Sequence, residues 1–175
     1  MEEVILVDEQ DNEIGLMEKI EAHEKAMLHR AFSVFIFNHL GEMLLHQRAY
    51  KKYHCGGLWT NACCSHPRFQ ESNINAATRR LKEEMGIVTP LEKIFHFTYK
   101  AIFDNGLTEY EYDHVFVGHY DGEINADVNE VETHVWKNIE EIAASTISQS
   151  QIYTPWFLVA FPKVHAWYKA KQLAN

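Results

Sequence analysis

Hydrophobic and polar positions change period several times along the chain. Residues 3–8, Glu-Val-Ile-Leu-Val-Asp, read as a strand; Asp11-Asn12-Glu13 is a turn signal, and a second short strand follows at 13–18. Residues 31–37, Ala-Phe-Ser-Val-Phe-Ile-Phe, are rich in β-formers and predict a buried strand, with a turn from Asn38 to Gly41 and a partner strand from Glu42 to Arg48. Residues 49–70 carry Gly56-Gly57, Pro67 and few periodic apolar positions, which predicts a long loop of the kind that often holds function. The period then becomes helical: Ile74, Ala77, Leu81 and Met85 form one apolar stripe over 73–85, with Ser72 as N-cap and Gly86 as stop. Strands near 94–103 and 107–118 are joined by the hairpin signal Asp104-Asn105-Gly106, and Asp121-Gly122 marks a further turn. A strand from Val131 to Trp136 precedes a short helix from about Ile139. Thr154-Pro155 opens a C-terminal helix to about Leu173, within which Pro162 should kink or divide it. Strands on both sides of a central helix imply an α/β (α+β) class, a mixed sheet covered by helices.

Composition narrows the class. A chain of 175 residues fits one domain, expected over 1–175, with a core at about 30–165 flanked by an N-terminal β-hairpin and a C-terminal helix. No apolar run approaches the ~18 residues of a membrane span. The start, Met1-Glu2-Glu3, is acidic and lacks a secretory pattern, so a cytoplasmic protein is expected. A net charge of −9 argues against nucleic-acid binding, which rests on neutralising phosphates, but permits a small phosphorylated ligand held by local cations. Cys55, Cys63 and Cys64 are odd in number and two are adjacent, so no disulfide framework is implied and reduced thiols are expected.

Several clusters carry candidate chemistry. Glu83 and Glu84 lie in the last turn of the central helix, where carboxylates oppose the helix dipole. Arg79 and Arg80, four residues earlier, would make two ordinary surface pairs, whereas a facing cation would also explain the acidic pair. Trp59-Thr60-Asn61-Ala62-Cys63-Cys64-Ser65-His66-Pro67 places a thiol two residues before a histidine and leads into the Arg-bearing helix, an electropositive setting that favours thiolate. Glu109 and Glu111 share one strand face, where like charges cost energy unless a metal is shared. His23 and His29 precede a strand and are candidate ligands, since imidazole is the commonest metal ligand.

The spacing Ser65-x5-Glu71-x7-Arg79-Arg80-Leu81-x-Glu83-Glu84-x-Gly86-Ile87 resembles the Nudix box, G-x5-E-x7-R-E-U-x-E-E-x-G-U, where U is aliphatic. It departs twice: Ser65 stands for the first Gly, and Arg80 for the Glu after the Arg. A cation in place of a metal-binding carboxylate weakens hydrolytic metal chemistry and suits an anion. The Cys64-containing stretch is similar to the T-N-x-x-C-x-H-P signature of type I isopentenyl-diphosphate isomerases, which are Nudix-type enzymes. That resemblance spans about residues 3–173. It implies interconversion of isopentenyl and dimethylallyl diphosphate, the alternative being a Nudix hydrolase of a nucleoside or dinucleotide diphosphate. It further implies catalytic Cys64, Glu111 and Tyr99, and a divalent ion (Mn, Mg or Zn) on His23, His29, His66, Glu109 and Glu111. Arg48, Lys52, Arg80, Lys19, Ser65 and Trp156 would bind substrate, and Glu84 a Mg²⁺ that arrives with the diphosphate. The expected partner is a small allylic or homoallylic diphosphate, with no nucleic acid or membrane, and the expected state is a monomer or weak homodimer.

Overall fold

The computed structural model describes residues 2–174. The elements run β1 (Glu3–Val7), β2 (Glu13–Glu18), α1 (Lys19–Glu24), β3 (His29–Phe37), β4 (Glu42–Arg48), β5 (Trp59–Thr60), β6 (Cys63–Ser65), α2 (Asn73–Met85), β7 (Leu91–Ile102), β8 (Thr108–His119), β9 (Val131–Asn138), α3 (Ile139–Ser148) and α4 (Pro155–Leu173), with a 3₁₀ turn at Ser150–Ile152 before α4. Among the described residues all nine strands are linked in one mixed sheet.

β3 is its axis. One edge pairs in parallel with β8 along the whole strand, from His29↔Glu111 to Phe37↔His119. The other edge is shared by β1 at Leu6↔His29, β6 at Ser33↔Cys64 and β4 at Phe37↔Met43. β7 closes the β8 side as an antiparallel hairpin, and β9 lies on β4.

The alternation of β3 explains the layers. Phe35 and Phe37 point to the face covered by Ile139 and Ile142 of α3 and Phe157, Phe161 and Val164 of α4. Phe32, Val34 and Ile36 point the other way, onto Ala76, Ala77, Leu81 and Met85 of α2. Adjacent side chains on a strand face opposite sides, so a run of β-formers serves two cores at once. A buried Phe such as Phe157 stabilises by roughly 2–3 kcal/mol through burial.

The helix at 73–85 forms with its expected ends. The Ser72 side chain accepts from Asn75 N at 3.3 Å. Gly86 stops the helix at φ 69°, where a Cβ would also lie 2.9 Å from Asn125 O.

Four sequence expectations need correction. The 49–70 segment is not wholly loop, because β5 and β6 lie inside it, and strands this short carry no readable period. α1 was not anticipated; the Glu18 side chain caps it by accepting from Glu21 N at 2.9 Å. Ile74, placed on the buried stripe of α2, is 38% exposed, and Ala76 is buried instead. Pro162 does not divide α4, which runs unbroken from Pro155 to Leu173. A mid-helix proline costs about 3 kcal/mol, but Phe157, Ala160, Phe161 and Val164 dock the stretches on both sides of it to the same core.

Candidate active site

Alternation on β8 builds the floor of one cleft. Glu109, Glu111 and Asp113 share the face of Val115 and Val117, and all three carboxyls are almost fully buried. β7 brings Tyr99 opposite Glu111, and the Tyr99 hydroxyl lies 2.6 Å from Glu111 Oε2 and 2.9 Å from Glu109 Oε2. β3 brings His29 beside Glu111 from the other edge. β6 sets Cys64 on this same face, packed against the α4-side core, while Cys63 turns into the α2-side core. The two neighbouring thiols are thus separated by the sheet itself. The Cys64 sulfur donates to Asn61 Oδ1 at 3.1 Å and lies 3.4 Å from Ser33 Oγ.

The cleft has a volume of about 330 Å³. Twelve of the proposed residues line it: Cys64, Tyr99, Glu109 and Glu111 on the floor, with His66, Ser65, Glu84, Trp156, Arg48, Lys52, Arg80 and Lys19. His23 and His29 do not line it. They lie behind, 1% and 0% exposed, and meet His66 and Glu111 in a cluster whose ligand atoms are all within 4.8 Å of one another. Glu109 falls outside that cluster; its carboxyl is 2.6 Å from His54 Nε2 as well as bonded to Tyr99.

The four clustered groups suit a divalent cation. His29 Nδ1 lies 2.8 Å from the Met27 carbonyl, an arrangement that places the ring proton there and leaves Nε2 as a lone pair. Nε2 of His23 and of His29 are buried without a hydrogen-bond partner. Buried orphan acceptors are rare unless something else satisfies them. Burial, with His29 and His66 alongside, pushes the His23 imidazole down to about 3, so it is neutral as a ligand must be. Burial also lowers His66. Against burial, the Glu111 carboxylate, 3.5 Å from His29 Nε2, raises His29, and the adjacent His29 and His66 imidazoles hold Glu111 well below the usual carboxylate range. Burial pushes the Cys64 thiol upward, with Asp113 and Glu111 adding to it, so the sulfur is protonated here and the expected thiolate-favouring setting gives way to buried carboxylates.

Cations and acids interlock at the mouth. Arg80 reaches Glu84 at 2.5 Å and Glu83 at 2.8 Å, while Arg79 pairs chiefly with Glu71 at 2.7 Å. Lys52 meets Glu130 at 2.5 Å, and Lys19 meets Glu2 at 3.0 Å. Glu84 is 5% exposed, and burial raises it to about 7 despite Arg80. Arg48 lies over the Trp156 ring at 5.1 Å, and the Trp156 indole N–H donates to Thr60 Oγ1 at 2.9 Å.

Sequence reasoning passed over His54, Asp113, Ser33 and Glu130. Asp113 was legible, since it continues the period-two series Glu109, Glu111 on one strand face. His54 and Glu130 sit in connections, where no period announces which way a side chain points.

Fold and site together define a class: residues 27–157 match the NUDIX domain family. Solved structures agree on the fold, among them a Deinococcus radiodurans protein at TM-score 0.77 and 15% identity, covering 93% of this chain and 98% of that one. A MutT protein from Methanosarcina mazei aligns at TM-score 0.65 and 18% identity, over 83% and 95% of the two chains. The sequence resolves the group further. It is 49% identical over 158 residues to isopentenyl-diphosphate Delta-isomerase 2 of Photorhabdus laumondii, covering 90% of this chain and 89% of that protein. It is 46% identical over 157 residues to the isopentenyl-diphosphate Delta-isomerase of Serratia proteamaculans, covering 90% and 88%. The chain belongs to the isopentenyl-diphosphate Delta-isomerase family of the NUDIX superfamily.

Proposed function

We propose that the chain interconverts isopentenyl diphosphate and dimethylallyl diphosphate by adding a proton to the substrate and removing another. The observation that carries this is the pair of proton-handling groups flanking β3 on one face of the sheet. Cys64 comes from β6 on one edge, and Glu111, with Tyr99 at 2.6 Å, comes from β8 on the other. An unactivated alkene is a very weak base, and its protonation creates a tertiary carbocation that must be kept from water.

Glu111, assisted by Tyr99, handles the proton at the terminal carbon, and Cys64 handles the proton of the adjacent methylene. Burial leaves Cys64 protonated, and the neighbouring imidazoles leave Glu111 ionised. This arrangement serves the return reaction, in which Cys64 gives its proton to the methylene carbon and Glu111 takes one from the methyl. The forward reaction uses the opposite placement of the same proton, on Glu111 with Cys64 as thiolate, so the two groups exchange roles with direction. Trp156 presents an aromatic face to the cation, an interaction worth ~2 kcal/mol or more when desolvated. Arg48, Lys52, Lys19 and Arg80, with Ser65, grip the diphosphate and orient the alkene.

His23, His29, His66 and Glu111 would hold one divalent ion, and Glu109 adjoins them as the further carboxylate. Mixed nitrogen and oxygen donors suit Mn²⁺, Mg²⁺ or Zn²⁺. Such an ion, when bound, withdraws electrons from the Glu111 carboxyl and tunes its acidity. Glu84 would hold a Mg²⁺ shared with the diphosphate. No helix among the described residues is long and apolar enough to cross a membrane. The reading places the enzyme in the cytoplasm, as a monomer or weak homodimer acting on a small diphosphate and not on nucleic acid.

Hydrolysis of a nucleoside diphosphate is disfavoured because Arg80, paired with Glu84, stands where the hydrolytic box carries a carboxylate. Incubation with isopentenyl diphosphate and Mg²⁺ in D₂O separates the two. Deuterium entering an intact diphosphate supports the isomerase; release of phosphate or pyrophosphate without deuterium sinks it.

A further inference from the structure

The Cys64 sulfur sits in a buried polar notch. Asn61 is fully buried, and its amide nitrogen donates to Val34 O at 3.0 Å and to Cys63 O at 2.9 Å. Both amide hydrogens are thereby committed, so the group cannot flip, and Oδ1 is turned toward Cys64. Thr60 Oγ1 donates to the same oxygen at 3.0 Å. On the other side, Ser33 is the register partner of Cys64, with its hydroxyl 3.4 Å from the sulfur. Ser33 in turn donates to Asp113 Oδ2 at 2.7 Å. Its single hydrogen is spent there, so it meets the sulfur with lone pairs. The sulfur is bracketed by two fixed oxygens, and Cys64 opens toward the cleft that it lines.

Asp113 is an expensive residue to keep in this place. It is 1% exposed, and its second oxygen, Oδ1, has no partner. A half-satisfied buried carboxyl destabilises a fold, whereas the next residue on the same face, Val115, is apolar and packs into the core. Among the described residues, its side-chain partner is the Ser33 hydroxyl beside the thiol.

We propose that Ser33 and Asp113 are positioning residues for Cys64: Asp113 sets the Ser33 hydroxyl, and Ser33 with the locked Asn61 amide fixes the sulfur against the substrate methylene. The inference rests on the isomerase reading and extends it to the groups that hold the thiol in place.

The test is steady-state kinetics of the intact, metal-loaded enzyme with isopentenyl diphosphate. Misplacement of a reacting group by ~1 Å costs on the order of 100-fold. Ser33→Ala and Asp113→Ala should therefore lose roughly 10- to 100-fold in kcat, with KM within about twofold of wild type. Asp113→Asn keeps an acceptor for Ser33 and should remain within about threefold of wild-type kcat. Ser33→Ala removes one atom and Asp113→Asn preserves shape, so both variants keep the fold. The proposal is overturned if Ser33→Ala turns over like wild type, if the losses appear in KM, or if Asp113→Asn falls as far as Asp113→Ala. In each of these cases the wild type still isomerises, and the isomerase reading stands. An inactive wild type removes both.

Discussion

The two ends of β3 and β8 are made from the same strands, on the same face, at nearly the same burial, yet they do opposite things. Toward their C-terminal ends, Phe35, Phe37, Val115 and Val117 close on Phe157 and Phe161 in a dry core. Toward their N-terminal ends, His29, Ser33, Glu111 and Asp113 are just as hidden, at 6% exposure or less. The difference lies in satisfaction. The apolar end leaves nothing unpaired. The polar end leaves His23 Nε2, His29 Nε2 and Asp113 Oδ1 without partners. Such orphans cost roughly 1–3 kcal/mol each, and the dry end of the same sheet offsets that cost. A rigid apolar half thus supports a polar half that keeps buried lone pairs unpaired.

The strongest break of this comparison is at the paired thiols. Cys64→Ala should abolish detectable turnover in the deuterium assay, a loss of at least about 10³-fold. Cys63→Ala, on the α2 side, should keep turnover and lose only about 1 kcal/mol of packing. Equal loss from both would refute the assignment of Cys64.

Damage to the dry end should look different. Phe157→Ala should cost about 3–5 kcal/mol in denaturant unfolding. The folded fraction at low temperature should still turn over. Loss of activity without loss of stability would mean that the two ends are not separable.

Supplying a cation should act on the polar end alone. After dialysis against chelator, a divalent ion at ~100 times its dissociation constant should stabilise the fold by about 2.7 kcal/mol. Thermal melting with Mn²⁺, Mg²⁺ or Zn²⁺ reads this and ranks the metals. His29→Gln should remove the shift, and its persistence would place the ion elsewhere.

His46 supplies the smallest and sharpest contrast, because it is a buried imidazole outside the four-residue cluster. It is 2% exposed, and burial, reinforced by Arg48, pushes it down to about 3. In the unfolded chain it titrates near 6.5, so below that pH the unfolded state binds the extra proton. Stability is therefore intact above about pH 6.5 and is lost as pH falls toward 3. The loss between pH 6.5 and 5.5 is about 1 kcal/mol. His46→Gln should reduce the slope of stability against pH across that window, leaving the shares of other depressed imidazoles such as His23 and His114; an unchanged slope would assign the acid sensitivity to such groups.

Much of this was legible in order and spacing. The strands at 31–37 and 42–48, the helix at 73–85 with Ser72 and Gly86 at its ends, and the hairpin around Asn105-Gly106 follow from local rules. The choice of Cys64 and the departure at Arg80 came from the resemblance to the isomerase signature and the Nudix box. Where the reading failed, the cause was non-local. Cys63–Ser65 is a strand only because β3 lies beside it, and Pro162 stays within a helix because the core grips that helix on both sides.

The sequence by itself determined the fold class, the residues of the box and signature, and the kinds of chemistry available. It could do so because helix and strand periods, turn residues and motif spacing are properties of neighbours along the chain. Only the tertiary structure decided that Cys63 and Cys64 belong to opposite cores, that His23 reaches His66, that Glu109 turns to His54, and that Ser33 and Asp113 stand behind the thiol. Those relations depend on strand register between segments far apart in sequence, and a shift of one residue would send every one of these side chains to the other face.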